Sequence, residues 1–374
     1  MIRSLSSLNI SMKDKEISCK QEIGNSQINE SVVTPCYMDF EHLYIAMVKC
    51  KRNVTWKESV SRYFLNGIEE TIKLTDEVAY GAYKPRAPFT FTITSPKKRE
   101  ILAVSFRDRC YQRPINDDLL YPAMSARYIY QNMACQTGKG TDKARELLRQ
   151  YLVKWRFKKG YILQMDIHNY YGSMDHQYVN DMYRSALSYN DYRIVMDVLD
   201  RQYAGKTGYR PGSQMVQITG TCYLANVDYD IVTELGIKDY IRYQDDFIMF
   251  HESKEHLKNC RDIIESKLSA IGLTLNPKKT KIFEIGKPFE YLGFTWRITP
   301  SKKVLATAIG KNIKNKKQKY KRMLRKVKKG ELTKEYVDEC FRGFLANLDK
   351  GNCYNLKQRL IKWYEVTWNE IQKD

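Results

Sequence analysis

A pair of adjacent aspartates, Asp245 and Asp246, interrupts an apolar strand pattern in the segment DYIRYQDDFIMF. Carboxylates held close together among apolar residues are costly unless cations neutralise their charge. Because neighbouring side chains of a strand face opposite ways, the two aspartates can face one site only where the chain turns. The sequence therefore predicts a β-hairpin that carries both aspartates at its turn, although an isolated pair of this kind is more often a solvated turn.

A third carboxylate, Asp166, follows a second apolar strand pattern in the segment GYILQMDI. If this strand lies beside the hairpin, Asp166 and Asp245 would hold two Mg²⁺ ions about 3.5–4 Å apart. Hard cations of this kind prefer carboxylate and water oxygens. One ion would lower the pKa of a primer 3′-hydroxyl, and the other would hold a nucleoside triphosphate and the leaving pyrophosphate. Asp246 would stand at the edge of this site.

The elements that must position these carboxylates alternate between helix and strand patterns. Helical spacing covers residues 40–73, and the segment FTFTITSPKKREILAV predicts a hairpin with a Ser-Pro turn. The helix pattern of GTDKARELLRQYLVKW opens on Thr141 and Asp142, which are the candidates for its N-cap. Three strand-like segments follow, GYILQMDI, DYIRYQDDFIMF and PFEYLGFTWRI, with helical stretches between them. This order predicts an α+β sheet domain rather than a doubly wound parallel sheet.

The charge of the chain indicates an anionic partner. The sequence has 63 Lys and Arg against 43 Asp and Glu, a formal net charge of +20, while 43% hydrophobic residues allow a sizeable core. Between Lys311 and Lys329, eleven of the nineteen residues are Lys or Arg, and helical apolar spacing resumes after them. Each phosphate that such cations neutralise releases condensed counterions, so nucleic acid is the expected partner.

Other features of the sequence bear on cellular location. Nine cysteines are scattered without a C-x-x-C pair, which favours reduced thiols in a cytosolic protein. Residues 1–35 are polar and lack the apolar core of a signal peptide, and no run of about eighteen apolar residues occurs. The expected location is the cytoplasm, with no membrane partner.

The order of the motifs resembles that of bacterial reverse transcriptases over about residues 40–370. The Y-x-D-D box of that family corresponds to residues 243–246, and its earlier Asp motif, with paired aromatics and Asp-His, corresponds to residues 166–176. Four further segments match in order: PKKREI at 96–101, GYRPGSQMVQ at 208–217, NPKKTK at 276–281 and FEYLGF at 289–294. One Y-x-D-D box is weak evidence, whereas six motifs in order favour the family.

The resemblance implies a right-hand polymerase of the α+β class. Residues 1–35 would be a polar N-terminal extension, and residues 36–300 would form fingers and a palm whose antiparallel sheet carries the Y-x-D-D hairpin. Residues 301–374 would form a basic helical thumb. The implied activity is RNA-directed DNA polymerisation with two Mg²⁺ ions, for which Mn²⁺ is the alternative, in a bacterial cytoplasm.

The resemblance also implies four groups of site residues. The catalytic group is Asp166, Asp245 and Asp246, to which Ile167 is added as a metal-binding position. The nucleotide-binding group is Lys97, Lys98, Arg99, Tyr171, Gly212, Gln217 and Lys279, in which Tyr171 would be a steric gate whose ring collides with a ribose 2′-hydroxyl. The primer grip is Tyr291, Leu292 and Gly293, and the contacts to the nucleic-acid backbone are Lys311, Lys314, Lys321, Arg322 and Arg325.

Three departures from the family pattern bear on biological role and fidelity. Arg210 stands where these enzymes usually have Pro, and Val216 stands where a Ser usually precedes the Gln. The second departure disfavours the diversity-generating branch, whose enzymes generally keep that Ser-Gln pair. A compact chain without accessory domains most resembles the defence-associated enzymes, which resist phage and often work with a non-coding RNA. Gln244 is an unusual residue for the Y-x-D-D box, and its amide is expected to contact the primer terminus or the incoming base.

The expected partners are dNTPs, the DNA product, an RNA template that is a dedicated non-coding RNA, and either an accessory protein or a second copy of the chain. Four alternatives stay open. The chain would be a diversity-generating enzyme that makes mutagenic cDNA, an RNA polymerase, an enzyme of untemplated or protein-primed synthesis, or a catalytically inactive RNA-binding protein of the same fold.

Overall fold

A computed structural model gives the structure of the chain over residues 35–94 and 98–373. Nearly all of the predicted N-terminal extension, and Lys97 of the predicted fingers hairpin, lie outside these described residues. The helices are α1 Phe40–Lys51, α2 Glu58–Leu65, α3 Gly67–Ala79, α4 Phe106–Pro114, α5 Tyr121–Ser125, α6 Thr141–Trp155, α7 Tyr170–Ser173, α8 His176–Arg184, α9 Tyr189–Gln202, α10 Gln214–Tyr223, α11 Ala225–Thr233, α12 Lys254–Ala270, α13 Gly310–Lys328, α14 Lys334–Leu348 and α15 Tyr354–Lys373. A 3₁₀ turn at Cys36–Met38 precedes α1, and a π-helical segment at Ile115–Leu120 joins α4 to α5.

The strands form three antiparallel sheets. They are β1 Phe89–Ile93, β2 Arg99–Ala103, β3 Tyr161–Asp166, β4 Asp239–Tyr243, β5 Asp246–His251, β6 Lys281–Glu284, β7 Phe289–Tyr291, β8 Phe294–Ile298 and β9 Val304–Ala308. The sheets are the hairpin β1-β2, a central sheet in the order β4-β5-β3-β6, and a small sheet in the order β7-β8-β9. The predicted α+β class, the hairpin at residues 89–103 and the hairpin that carries the aspartate pair are confirmed.

Burial on both faces explains the near-continuous apolar runs of the central strands. On β3, Leu163 and Met165 face one hydrophobic core, together with residues of α8 to α12. Ile162, which precedes Leu163 on the strand, faces a second core that also contains residues of α6, the small sheet and α13 to α15. Because side chains of a strand alternate between its two faces, a strand covered on both sides has little polar alternation. The central strands are therefore packed on both faces, and the residues at their ends are held by this packing.

Two local expectations were wrong in detail. The segment PFEYLGFTWRI, predicted as one strand, is the hairpin β7-β8, because Leu292 and Gly293 both have positive φ values of 45° and 84° and reverse the chain. Neither Thr141 nor Asp142 caps α6, since its N-cap is Gly140, with φ 124° and no side-chain bond. Asp142 instead forms ion pairs with Arg145 and with Lys350.

The predicted boundary at residue 300 runs through a sheet. Strand β9 pairs with β8 along residues 304–308, and the second core continues from this sheet into α13, α14 and α15. The basic helices are thus joined to the rest of the chain by pairing and by packing. None of the helices in the described part of the chain combines the length and the hydrophobicity that crossing a bilayer requires.

Candidate active site

The turn between β4 and β5 brings the three predicted aspartates to one edge of the central sheet. β4 ends at Tyr243 and β5 begins at Asp246, and Gln244 in the turn has a positive φ of 55°. Asp246 lies opposite Asp166 in the register of β5 with β3. The backbone N–H of Ile167 donates to the carbonyl of Asp245 at 3.2 Å, which holds the turn against the end of β3.

Asp166 is 5% exposed and has two partners from the segment that leads into β6. Its carboxylate accepts a hydrogen bond from Asn276 Nδ2 at 3.1 Å and forms an ion pair with the ammonium of Lys279. Although burial opposes it, this contact raises the pKa of Lys279. Lys279, predicted to bind the nucleotide, thus neutralises Asp166 here, and it would have to exchange this carboxylate for a phosphate in order to bind a triphosphate.

Negative charge is crowded at the turn. Burial and the neighbouring charges of Asp245 and Asp166 raise the pKa of Asp246 to about 7. Burial also raises the pKa of Asp245, to which the charge of Asp166 adds, while Lys279 and Arg99 oppose the shift. The site therefore carries more anionic groups than its own cations balance, and a bound divalent cation would relieve that excess.

The donor set fits a hard divalent cation. Within residues 35–94 and 98–373, no three Asp, Glu, His or Cys side chains already form a metal-binding group, and the carboxylate of Asp166 is directed at Lys279 and Asn276. Carboxylates at a single turn are nevertheless the ligands that Mg²⁺ uses when it keeps several waters and binds substrate phosphates as well. Asp166, Asp245 and Asp246 are the side chains that would hold it.

Tyr171 lies beside this turn, on the short helix α7. A Cβ atom at Gly220 of α10 would come within 2.8 Å of Cε1 of the Tyr171 ring, so only glycine allows this contact. Burial raises the pKa of the Tyr171 phenol, and both Asp245 and Arg99 are near enough to affect it. The ring is therefore wedged between the helix and the anionic turn.

The hairpin β1-β2 and the 208–217 loop are docked on each other. Arg99, the first residue of β2, and Lys98 are exposed. The backbone N–H of Leu102 on β2 donates to the carbonyl of Pro211 at 3.2 Å, and a Cβ at Gly212 would clash with the Leu102 carbonyl at 2.1 Å. Arg210, the residue that replaces the usual Pro, forms an ion pair with Glu100 of β2 at 2.9 Å. The unusual arginine thus fastens the loop to the hairpin.

A cavity of about 890 Å³ opens beside this junction. Gly212 and Gln217 line it on one side, and cationic residues of α1 and α4 line it on the other; they include Lys49, Arg109 and Arg113. Asn116, from the π-helical segment, also lines the cavity, and its buried Oδ1 has no hydrogen-bond partner among the described residues. Asp117 lines the cavity as well and pairs with Lys49 and Arg113, so these cations are partly balanced. The cavity has the size to accept a nucleotide unit.

The predicted primer grip is the hairpin β7-β8, anchored next to the carboxylates. Gln164 of β3 donates to the carbonyl of Glu290 at 2.9 Å, and Arg145 of α6 donates to the carbonyl of Leu292 at 2.8 and 3.1 Å. Tyr291 is buried, and burial raises its pKa well above the ordinary value. The half-buried Leu292 and the exposed Gly293 form the bend of a hairpin that is fixed to the central sheet.

The predicted backbone contacts lie on one face of α13. Lys311, Lys314, Lys321, Arg322 and Arg325 are all exposed. At about 3.6 residues per turn these five positions fall within one third of the helix circumference, on the side opposite the buried Tyr320 and Leu324. Two other cations of α13 contact aromatic rings of the protein, since Lys316 lies over the Phe344 ring and Lys317 lies over the Trp363 ring.

Two features of the site were missed from sequence. Asn276 and its bond to Asp166 join segments 110 residues apart, and no local pattern reveals such a pair. Arg242 is the second, and its charge inside the apolar strand beside the aspartates is a signal that could have revealed it. The amide nitrogen of Gln244 donates to Cys135 Sγ at 3.0 Å and to Thr221 Oγ1 at 3.3 Å, and its contact with the primer terminus or the incoming base stays a prediction.

Comparison with known proteins adds family information. A family model described as "Reverse transcriptase (RNA-dependent DNA polymerase)" matches residues 93–296, more than half of the chain. Comparison with curated protein sequences gives no match. Two similar solved structures are of apo telomerase from Candida tropicalis, one of them truncated from its C-terminal domain, each with 12% sequence identity and a TM-score of 0.44. The alignments cover 67% and 68% of this chain but only 60% and 53% of those chains, so this chain spans little more than half of their length.

Proposed function

The chain belongs to the reverse transcriptase family of RNA-directed DNA polymerases, and we propose that it adds dNTPs to a primer end on an RNA template at the turn between β4 and β5. The observation that carries this proposal is the meeting of Asp166, Asp245 and Asp246 at one sheet edge, beside Tyr171 and the exposed cations of the β1-β2 hairpin. Each of these groups has a separate task in nucleotidyl transfer.

The carboxylates would hold the divalent cations that the family generally uses. Asp166 and Asp245 are the principal ligands in this proposal, with Asp246 and the backbone position Ile167 at the edge. Bound there, two Mg²⁺ ions would activate the primer hydroxyl and stabilise charge on the phosphates. Lys279 forms an ion pair with Asp166. Its release from Asp166 when a cation binds would free a cation for the incoming triphosphate.

The cationic fingers hairpin would bind the triphosphate. Lys98 and Arg99 are exposed on the β1-β2 hairpin, and Lys97 precedes them in the sequence. A guanidinium binds phosphate oxygens through two parallel hydrogen bonds, which fixes orientation as well as charge. Gly212 and Gln217 line the adjoining basic cavity, so we assign the nucleotide and its template partner to this junction.

Tyr171 would exclude ribonucleotides, because a ring wedged against Gly220 has no room to retreat from a 2′-hydroxyl. Replacement of Tyr171 by Ala should lower the ratio of kcat/KM for dATP to that for ATP by about 100-fold, the scale at which a pocket discriminates a single hydroxyl. Tyr171→Phe keeps the ring and should keep the ratio. If Tyr171→Ala leaves ribonucleotide use unchanged, Tyr171 is not the gate and an RNA polymerase activity becomes the better interpretation.

The primer and the duplex would continue past the β7-β8 hairpin toward α13. The bend at Tyr291, Leu292 and Gly293 is fixed to β3 and α6, so it can hold a primer end at a constant distance from the carboxylates. The exposed face of α13 offers cations to successive backbone phosphates. The domain division into fingers and palm at residues 36–300 and a thumb at residues 301–374 is part of this proposal.

The biological role that we propose is bacterial antiphage defence with a dedicated non-coding RNA as template, in the cytoplasm. Its support is the set of sequence motifs and their departures at Arg210 and Val216. Sequencing the RNA that copurifies with the protein, and the DNA made from it with Mg²⁺ and dNTPs, tests this role. We expect one abundant small RNA and a faithful complementary product. A complementary product with many substitutions would support a diversity-generating enzyme, and a repetitive product unrelated to the RNA would support untemplated synthesis.

A further inference from the structure

Arg242 is a fully buried arginine next to the catalytic turn. It stands on β4, is 0% exposed, and forms an ion pair with Asp228 of α11, which is also 0% exposed. Arg242 Nε donates to one carboxylate oxygen of Asp228 at 2.6 Å, and Nη2 donates to the other at 2.5 Å. Tyr240 donates a further hydrogen bond to Asp228 at 2.6 Å. The charge of the guanidinium is therefore fully balanced inside the protein.

The remaining donors of Arg242 reach the turn itself. Nη1 donates to the carbonyl of Gln244 at 3.0 Å, and Nη2 also donates to the carbonyl of Thr221 on α10 at 3.0 Å. A planar guanidinium can bind these groups at once because its five donors lie in a fixed fork. One side chain thus joins the peptide that precedes Asp245 to the helix that carries Gln217.

The turn requires such support. Gln244 has a positive φ of 55°, a conformation that is disfavoured for residues other than Gly, Asn and Asp. Its side chain is held by Thr221 Oγ1 and by Cys135 Sγ, and its carbonyl is held by Arg242. Helix α10 therefore holds the turn through the Thr221 side chain directly and through the Thr221 carbonyl by way of Arg242.

The backbone of Arg242 is fixed as well. Its N–H donates to the carbonyl of Gln131 at 3.0 Å, and its carbonyl accepts from Met133 at 2.9 Å. Lys139, from the Q-T-G-K-G-T segment, binds the carbonyls of Tyr130 and Asn132 at 2.9 Å each and so ties down the segment that meets Arg242. Residues 129–139 therefore form a segment that lies along β4 and is hydrogen-bonded to the backbone of Arg242.

We propose that Arg242 is a positioning residue for nucleotide addition. It holds the Gln244 carbonyl, and through it the Asp245 carboxylate, in one orientation, and it couples that orientation to α10, which carries the proposed nucleotide-binding residue Gln217. This inference rests on the proposed polymerase function. The competing explanation is that Arg242 serves only as the partner of a buried carboxylate and has no bearing on the chemical step.

Substitution of Arg242 by Lys separates these explanations. A lysine keeps the positive charge for Asp228 but cannot at the same time reach Gln244 and Thr221. We expect the single-turnover rate of nucleotide addition to fall about 10- to 100-fold, the cost of a misplacement of about 1 Å in a catalytic group. The dNTP dissociation constant and the RNA–primer affinity should change by less than about threefold, because the binding surfaces are untouched. An Arg242→Lys protein that folds and adds nucleotides at the parental rate would overturn the proposal.

A second variant covers the outcome in which Arg242→Lys does not fold. Thr221→Val removes the hydroxyl that accepts from Gln244 and donates to the Gln217 carbonyl one turn earlier in α10, and it leaves the Arg242–Asp228 pair intact. We expect it to lower the addition rate about threefold to tenfold with little change in dNTP affinity, because one of the two links from α10 to the turn is lost. An unchanged rate in Thr221→Val, with Arg242→Lys unfolded, would also overturn the coupling.

Asp239→Asn is the matched control. Asp239 opens the same strand β4, is buried, and binds Lys154 and Trp155 at the end remote from the turn. Its substitution should lower the melting temperature while the addition rate stays at the parental value, which excludes general loosening of β4 as the cause. If the parent protein extends no primer at all, the proposed polymerase function fails. If the parent is active and Arg242→Lys matches it, only the positioning role fails.

Discussion

Replacement of Asp245 by Asn should lower the rate of nucleotide addition by at least about 10³-fold, which corresponds to about 4 kcal/mol of lost transition-state stabilisation. Asparagine has nearly the same shape but no charge, so it is a poor ligand for a hard divalent cation. Burial and the charge of Asp166 raise the pKa of Asp245, so we expect that removal of its charge relieves repulsion and leaves the protein folded.

The measurement is single-turnover primer extension on a heteropolymeric RNA with Mg²⁺ and dNTPs, with melting temperature recorded for each protein. Asp197→Asn is the control, because Asp197 is an exposed residue of α9 whose partner is Arg201 one turn away. It should extend primers as the parent does. An Asp245→Asn protein with parental activity would show that the metal site lies elsewhere. If neither parent nor variant extends any primer while both bind RNA, the chain is an inactive RNA-binding protein.

The catalytic hairpin could be predicted because its signal is local. The apolar runs on either side of Asp245 and Asp246 reflect strands that are covered on both faces, and two carboxylates between them allow only a turn. The Asp166 strand was equally clear. Both strand patterns depend on residues within a few positions of each other, where sequence patterns are reliable. The register that sets Asp166 opposite Asp246 joins strands that are distant in the chain, and the sequence alone left that pairing as a condition.

The partners of these carboxylates depend on long-range packing and could not be predicted. Lys279 meets Asp166 only because the segment before β6 returns to the edge of β3, and it carries no local mark of that role. Gln244 likewise carries no local mark of its contacts within the protein, in which its left-handed backbone conformation accompanies hydrogen bonds from its amide to Cys135 and Thr221. The bend at Leu292 was missed for a similar reason, since a positive φ at leucine has no sequence signature.

The cations on one face of α13 are predicted to bind the nucleic-acid backbone, and cations on another face of the same helix serve as the comparison. The triple variant Lys314→Gln, Lys321→Gln and Arg325→Gln removes three charges from the exposed face opposite Tyr320. Each phosphate contact contributes about 0.9 to the slope of log affinity against log salt on duplex DNA, so the slope should fall by about 3. At about 0.1 M salt the affinity for primer–template should then fall by about 100-fold or more.

The control triple is Lys316→Gln, Lys319→Gln and Lys326→Gln, which removes the same charge from another flank of α13. Two of these lysines already have partners within the protein, since Lys316 lies over Phe344 and Lys326 pairs with Glu331. We expect the control to change the slope of log affinity against log salt by less than 1 and the affinity by less than about tenfold. This small change would come only from the long-range electrostatic potential of the protein. Salt titration of binding by fluorescence anisotropy measures both quantities. Equal losses in the two triples would mean that net charge, and not a contact face, attracts the nucleic acid. Because the five predicted cations share one third of the helix surface, a loss confined to the first triple would orient the duplex along that face.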